Sequence, residues 1–195
     1  MVKDHNWKSS YLNKFQTEID KIKDEGHYRT FNSIERKAGN YPKATRHHEG
    51  QTHEIDVWCS NDYLGMSQNP EVIQAMIKAA EKLGAGSGGT RNISGTTQNH
   101  ILLEQEIAKL HQKERGLAFN SGYSANESAL KSIISAFDNC LVLSDELNHA
   151  SLIEGIRSSK KEKAIFKHND VSHLKNVLKG VPFERPKIIV LESVY

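Results

Sequence analysis

The chain has 195 residues, of which 37% are hydrophobic and 26% are charged, and its net charge is +2 with neutral histidines. So small a charge does not indicate binding to nucleic acid or a membrane surface, and no apolar run approaches the ~20 residues that span a bilayer. The N-terminal segment lacks the apolar core of a signal peptide and contains acidic residues, which argues against a transit peptide. We therefore expect a soluble protein, cytoplasmic in a bacterium or located in the mitochondrial matrix in a eukaryote.

Residues 1–54 are predicted to form an N-terminal helix and a polar arm. The helix is expected over residues 8–25, where apolar side chains recur at helical spacing, and Gly26 ends it. Residues 27–54 are polar and interrupted by glycine and proline, so we expect irregular structure there. This segment contains three histidines without the spacing of a zinc site, which we interpret as solvated. They are His47, His48 and His53.

Residues 55–195 are predicted to form part of an α/β domain, in which strands and helices alternate. Strands are expected at residues 55–60, 116–120, 140–144, 163–168 and 187–193. Helices are expected at residues 69–84, 99–112, 124–137, 149–159 and 171–180. This pattern favours a mostly parallel sheet with helices on both faces, whose ligands bind at the carboxyl ends of the strands. The last strand has no covering helix after it, so we expect the chain to be a fragment of a longer protein.

The two cysteines of the chain lie in short apolar runs. Cys59 and Cys140 are far apart and have no metal-ligand spacing. We interpret both as small buried residues of a protein from a reducing compartment.

A glycine-rich loop is predicted over residues 84–97. Its glycines match G-x-G-x-x-G, but the loop follows a helix instead of a strand, so we reject a nicotinamide site. A mobile or tightly turned loop is one interpretation of the glycines. The Thr-Arg-Asn sequence at residues 90–92 favours the binding of small substrate groups.

Two strand-to-helix turns carry polar side chains. In residues 120–128 (NSGYSANES), Ser121 and Gly122 precede a helix whose free N–H groups suit a phosphate, although a simple serine N-cap is about equally consistent. In residues 144–151 (SDELNHAS), Asn148 could cap the helix while His149 stays solvated, or the imidazole could face a flat aromatic cofactor. Periodicity does not decide between these interpretations.

Four stretches together resemble one family, the α-oxoamine synthases. The stretches are residues 59–66 (CSNDYLGM), 84–97 (GAGSGGTRNISGTT), 119–128 (FNSGYSANES) and 143–157 (LSDELNHASLIEGIR). Residues 28–31 (YRTF) and 88–96 (GGTRNISGT) are similar to the 5-aminolevulinate synthase branch. The resemblance implies a pyridoxal-phosphate-dependent transferase of fold type I, with an incomplete large domain preceded by an N-terminal helical arm.

The resemblance also implies a cofactor site for pyridoxal 5′-phosphate. His149 would stack on the pyridine ring and is the one candidate catalytic residue of this chain. Gly122 and Tyr123, beside Ser121, would hold the phosphate group. No metal is implied.

The implied substrates are glycine and succinyl-coenzyme A. Arg29 would pair with the succinyl carboxylate, which a guanidinium fork suits. The other implied substrate contacts are Asn61, Thr90 and Asn92 at the acyl end, and Ser144 and Lys163 on the coenzyme A ester. Arg29 and the glycine-rich loop would contribute across a homodimer interface.

The implied reaction yields 5-aminolevulinate, coenzyme A and carbon dioxide, and begins haem and porphyrin biosynthesis. The lysine that the family joins to its cofactor would lie beyond Tyr195, so we expect this chain not to catalyse the reaction by itself. Two alternatives stay open. One is a sister acyltransferase such as glycine C-acetyltransferase, and the other is a truncated product without catalytic activity.

Overall fold

The computed structural model describes residues 7–195, which form two compact units that divide between Gly86 and Ser87. The predicted domain boundary between residues 54 and 55 lies within a strand of the first unit. The division into an N-terminal arm (residues 1–54) and an α/β domain (residues 55–195) stays a prediction. No helix in residues 7–195 is long and apolar enough to cross a membrane.

The first unit contains two long helices and a small antiparallel sheet. Its elements are α1 (Trp7–Asp24), β1 (Ser33–Arg36), β2 (Lys43–His48), β3 (Gln51–Asp56), a short 3₁₀ turn (Met66–Gln68) and α2 (Pro70–Leu83). The strands pair in the order β1-β2-β3. Both predicted helices of this unit are confirmed.

Asn69 and Gly84 explain where α2 begins and ends. The Asn69 side chain accepts a hydrogen bond from the Glu71 N–H at 2.8 Å, and Pro70 occupies the first helical position. Gly84 ends the helix with a φ of 83°, a conformation that glycine adopts readily.

The prediction of irregular structure over residues 27–54 was wrong, because these residues contain the antiparallel sheet. Glu49 and Gly50 connect β2 and β3 with φ angles of 49° and 77°, as a two-residue type I′ hairpin turn requires. Ala44 is buried, but most other strand residues are exposed, so no apolar alternation marks the strands. The three histidines lie on strands instead of in a loop, and the His47 Nε2 is 3.1 Å from the Glu35 Oε2.

The strand predicted over residues 55–60 was also misplaced. Ladder pairing begins at Gln51 and ends at Asp56, so only two of the predicted residues belong to β3. Cys59 lies outside the strand and is exposed, which corrects the prediction that it is buried. Cys140 is buried as expected.

The second unit is an α/β layer structure. Its elements are α3 (Gln98–Leu110), α4 (Gly122–Ser135), β4 (Leu141–Asp145), α5 (Ala150–Ser158), β5 (Glu162–Phe166), α6 (Val171–Leu178) and β6 (Lys187–Val190). The strands pair in parallel in the order β5-β4-β6, so β4 is central, and all five of its residues are buried.

Alternate side chains of β4 build the core on the two faces of this sheet. Val142 packs in one cluster with Ile134 of α4 and Ile156 of α5. Leu141 and Leu143 point to the opposite face, where residues of α6 cover them. The predicted parallel sheet with helices on both faces is therefore confirmed.

The strand predicted over residues 116–120 is absent from the described structure. The Ala118 N–H donates to the Glu104 Oε1 at 2.8 Å, and the Ala118 carbonyl accepts from the Arg91 Nη1 at 3.3 Å. Side chains therefore take the backbone groups that a ladder would need. The segment is therefore not paired in a sheet.

Candidate functional site

The first turn of α4 leaves backbone donors available. The Ser121 Oγ caps the helix by accepting from the Ser124 N–H at 3.1 Å. Among residues 7–195, the N–H groups of Ser121, Gly122 and Tyr123 have no hydrogen-bond partner. Unpaired N–H groups at a helix N-terminus attract anions, because the helix dipole adds to their partial charge.

Space is open in front of this turn at Gly122. A Cβ atom built there would meet no described atom within 4 Å, and the φ angle of Gly122 is not in the left-handed region. Neither packing nor backbone conformation within the described chain requires a glycine at this position. The small residue leaves room for a group that approaches the helix end.

At the first turn of α5, side chains bind the backbone N–H groups of His149 and Ser151. His149, instead of Asn148, is the N-cap, and its Nδ1 accepts from the Ser151 N–H at 3.2 Å. The His149 N–H donates to the Glu192 Oε2 at 2.7 Å. The interpretation that Asn148 caps this helix was therefore wrong, because Asn148 is turned into the sheet.

Hydrogen bonds assign the tautomer of His149. The Asn126 Nδ2 donates to the Ser151 Oγ at 3.0 Å, so that hydroxyl is free to donate its own proton to the His149 Nδ1, 2.7 Å away. The Ser151 N–H donates to the same nitrogen. Because Nδ1 accepts, the neutral ring carries its proton on Nε2.

The structure brings the predicted cofactor residues of α4 and α5 together. The rings of Tyr123 and His149 lie edge to face, with centroids 6.4 Å apart and planes at 74°. Gly155 lets the two helices approach, since a Cβ there would lie 2.9 Å from the Leu130 Cβ. An imidazole, a phenol ring and unpaired N–H groups therefore lie near one another.

Asn148 anchors the turn between β4 and α5. Its Nδ2 donates to the Ser144 Oγ at 3.0 Å and to the Val190 carbonyl at 2.9 Å. Asn148 and Ser144 are both buried. The Ser144 hydroxyl thus helps to hold the turn.

Ser144 and Lys163 line one cavity of about 70 Å³. Its other lining residues come from the end of β4, from α5 and from β5, and they are Asp145, Glu146, Ile153, Ile156 and Ile165. Lys163 is an exposed residue, and it borders this cavity.

Thr90 and Asn92 line a second cavity, of about 630 Å³, together with residues 117–120. Between them, Arg91 forms a bidentate ion pair with Glu104, in which the Nη2 and Oε2 atoms are 3.1 Å apart. Hydrogen bonds from Arg91 and the Ala118 N–H lower the pKa of the Glu104 carboxyl to about 2. The ion pair fixes the glycine-rich loop to α3.

Arg29 and Asn61 lie in the first unit. Arg29 is an exposed residue between α1 and β1. Asn61 lines a cavity of about 900 Å³ with Arg36, Trp58, Cys59, Ser60, Asp62, Tyr63 and Ser67. Each of the two residues is accessible within its unit.

The family model for class I and II aminotransferases matches residues 54–195. The chain belongs to the class I and II aminotransferase family. A 5-aminolevulinate synthase of Rhizobium meliloti is 52% identical over 93% of this chain and 45% of the relative, and one of Rhodobacter capsulatus is 52% identical over 91% and 44%. The chain therefore spans less than half the length of these curated relatives.

A solved structure is similar to this aminotransferase-family chain over almost its whole length. Serine palmitoyltransferase from S. paucimobilis, with a bound PLP–myriocin aldimine, is 29% identical and matches 95% of this chain and 47% of that protein, with a TM-score of 0.76. Together with the family match, this likeness confirms the predicted type I fold of pyridoxal-phosphate-dependent transferases. All the predicted site residues except Arg29 lie within the aminotransferase family match.

Asp145 and His168 form a pair in this aminotransferase-family chain that the sequence analysis missed. The His168 Nδ1 is 3.0 Å from the Asp145 Oδ1, and the rings of His168 and Tyr195 are 4.3 Å apart. Burial raises the pKa of the Asp145 carboxyl, but hydrogen bonds from the Leu147 N–H, His168 and the Asn169 N–H outweigh this effect and lower it. The sequence signal that could have predicted this pair is the polar residues at the carboxyl ends of β4 and β5.

Proposed function

We propose that the full-length protein is a 5-aminolevulinate synthase, an acyltransferase that condenses glycine with succinyl-coenzyme A. Its products are 5-aminolevulinate, coenzyme A and carbon dioxide, and its pathway is haem and porphyrin biosynthesis. The relatives with 52% identity support this choice over a sister acyltransferase. The observation that carries the proposal is the grouping of His149 and Tyr123 beside the unpaired N–H groups of α4.

This grouping fits pyridoxal 5′-phosphate. The N–H groups of Gly122 and Tyr123 would bind the phosphate, and the missing Cβ of Gly122 would let it approach. The ring of His149 would lie against the flat pyridine ring, and the hydrogen bond from the Ser151 N–H to its Nδ1 would hold the ring in place. When bound, the cofactor supplies an electron sink for the α-carbon of glycine.

The remaining proposed contacts concern the acyl donor. Ser144 and Lys163, which share a cavity, would contact the coenzyme A ester, and the lysine adds a positive charge. Thr90 and Asn92 would contact the acyl group at the cavity of the glycine-rich loop. Asn61, which lines a cavity of the first unit, stays a predicted substrate contact. Arg29 would bind the succinyl carboxylate through two parallel N–H donors.

We also propose a homodimer in which Arg29 and the glycine-rich loop contribute to the partner's site. Sedimentation of the full-length protein tests the dimer. A monomer at assay concentration that is fully active would contradict it.

The decisive test of the acyl donor uses the full-length protein with glycine and either succinyl- or acetyl-coenzyme A. We expect 5-aminolevulinate to form from succinyl-coenzyme A, and we expect Arg29→Leu to raise the KM for that donor about tenfold or more, because a charged hydrogen bond is lost. Acetyl-coenzyme A, which has no carboxylate, is the matched control. Its KM should be the same for the wild type and for Arg29→Leu. Equal KM values for succinyl-coenzyme A would overturn the role of Arg29, and a preference for acetyl-coenzyme A would favour the sister enzyme.

A further inference from the structure

We propose that Glu192 is a positioning residue for His149 and, through it, for the cofactor; this inference rests on the proposed function. Glu192 follows β6, whereas His149 follows the neighbouring strand β4. The Glu192 Oε2 accepts a hydrogen bond from the His149 N–H at 2.7 Å, across 43 residues of sequence. Neither the family motifs nor the sequence pattern assigned a role to this carboxylate.

The contact acts on the orientation of the imidazole. His149 is held at two points: Glu192 binds its backbone N–H, and Ser151 binds its Nδ1. A side chain that is fixed at its backbone and at one ring atom has little rotational freedom left. A carboxylate at a helix N-terminus is also favoured by the helix dipole, and its hydrogen bond is charge-assisted.

Glu192 is itself held in place by a closed set of contacts. Its N–H donates to the Tyr195 Oη at 3.0 Å, and that hydroxyl donates to the Asn148 Oδ1 at 3.5 Å. Asn148 in turn donates to the Val190 carbonyl at the end of β6. The residues after β6 and the turn after β4 thus support each other, and Glu192 is the member that reaches the backbone of His149.

Asp170 provides a matched control at the start of another helix. Its Oδ1 accepts from the His173 N–H at 2.8 Å, which is the same kind of contact on a different histidine. Asp170 has no hydrogen bond to His149 among the described residues. Its removal should therefore cost a similar contact without disturbing the proposed cofactor site.

The experiment uses the full-length protein with bound pyridoxal phosphate. It measures the dissociation constant of the cofactor and the visible circular dichroism of the bound form, which reports how the ring is held. We expect Glu192→Ala to weaken binding about tenfold, as for one lost hydrogen bond to a charged group, and to reduce the dichroism. Asp170→Ala should leave both values as in the wild type.

Two further variants separate the effect of side-chain length at residue 192 from the effect of its charge. Glu192→Gln keeps an oxygen acceptor at the same length but loses the charge, so its cofactor binding should lie between those of the wild type and Glu192→Ala. Glu192→Asp keeps the charge but is one methylene too short, so it should behave as Glu192→Ala. Thermal unfolding of each variant confirms that the comparison is made between folded proteins.

The outcomes distinguish the inference from the function on which it rests. If the wild type binds no pyridoxal phosphate, the proposed function fails. If the wild type binds it and Glu192→Asp matches the wild type, or if Glu192→Gln is as defective as Glu192→Ala, positioning through this hydrogen bond is overturned while the proposed function stands.

Discussion

The helices α4 and α5 pack against each other, but their first turns satisfy their backbone donors differently. The N–H groups of Ser121, Gly122 and Tyr123 at the start of α4 have no partner within residues 7–195. At the start of α5, the N–H groups of His149 and Ser151 are both bound by side chains. The open turn can accept an external anion, whereas the closed turn can present a fixed ring.

A substitution that fills the open turn should have the largest effect. Gly122→Val places side-chain atoms in front of the free N–H groups, so we expect pyridoxal phosphate to bind about a hundredfold more weakly, as for two lost hydrogen bonds to a charged group. Because a Cβ at Gly122 meets nothing within 4 Å, stability should change by no more than about 0.5 kcal/mol. Spectrophotometric titration and thermal unfolding of the full-length protein measure the two quantities.

Gly155→Ala is the opposite case and serves as its control. The new Cβ would lie 2.9 Å from the Leu130 Cβ and 3.0 Å from the Glu127 carbonyl oxygen, so it should force the two helices apart. We expect a destabilisation of about 1–3 kcal/mol, as for overpacking of a core. Gly122→Val that destabilises the protein as much as Gly155→Ala would contradict the idea that the space at Gly122 is kept for a ligand.

A substitution at the closed turn should have an intermediate effect. His149→Asn keeps an oxygen that can cap α5 but removes the ring, so we expect cofactor affinity to fall about tenfold, on the scale of one lost aromatic contact. His149→Ala should lose the same affinity and about 1 kcal/mol of stability, because the cap is also lost. If His149→Asn bound the cofactor as tightly as the wild type, the ring would have no role in binding.

The sequence alone predicted the helices of the structure but not its exposed strands or its long-range contacts. Helical periodicity and capping residues located α1 to α6, because those signals are local. The strands β1 to β3 were missed because they are mostly exposed and show no apolar alternation. The contact between Glu192 and His149 spans 43 residues, so only the fold could reveal it.

The smallest expected effect concerns the ion pair between Arg91 and Glu104 at the glycine-rich loop, and it is a change in how thermal stability depends on acidic pH. Arg91 and the Ala118 N–H lower the folded pKa of Glu104 to about 2, from an ordinary value of 4.5. The ion pair therefore stabilises the fold fully above pH 4.5, and this contribution is lost as the pH falls towards 2. We expect Glu104→Gln to lower the thermal midpoint at neutral pH.

The same variant should also flatten the fall in thermal midpoint between pH 4.5 and 2, since it no longer has the carboxylate. Glu106→Gln on the same helix is the control, because Glu106 has no ion pair among the described residues. Identical pH profiles for the wild type and Glu104→Gln would contradict the proposed contribution of the ion pair.

A crystal structure of the full-length protein with pyridoxal 5′-phosphate is the most direct test of the account. We predict phosphate oxygens at about 3 Å from the N–H groups of Gly122 and Tyr123, as for ordinary hydrogen bonds, with the ring of His149 against the pyridine ring. A phosphate group bound away from the first turn of α4, or an imidazole that does not contact the cofactor, would contradict the division of roles between the two helices.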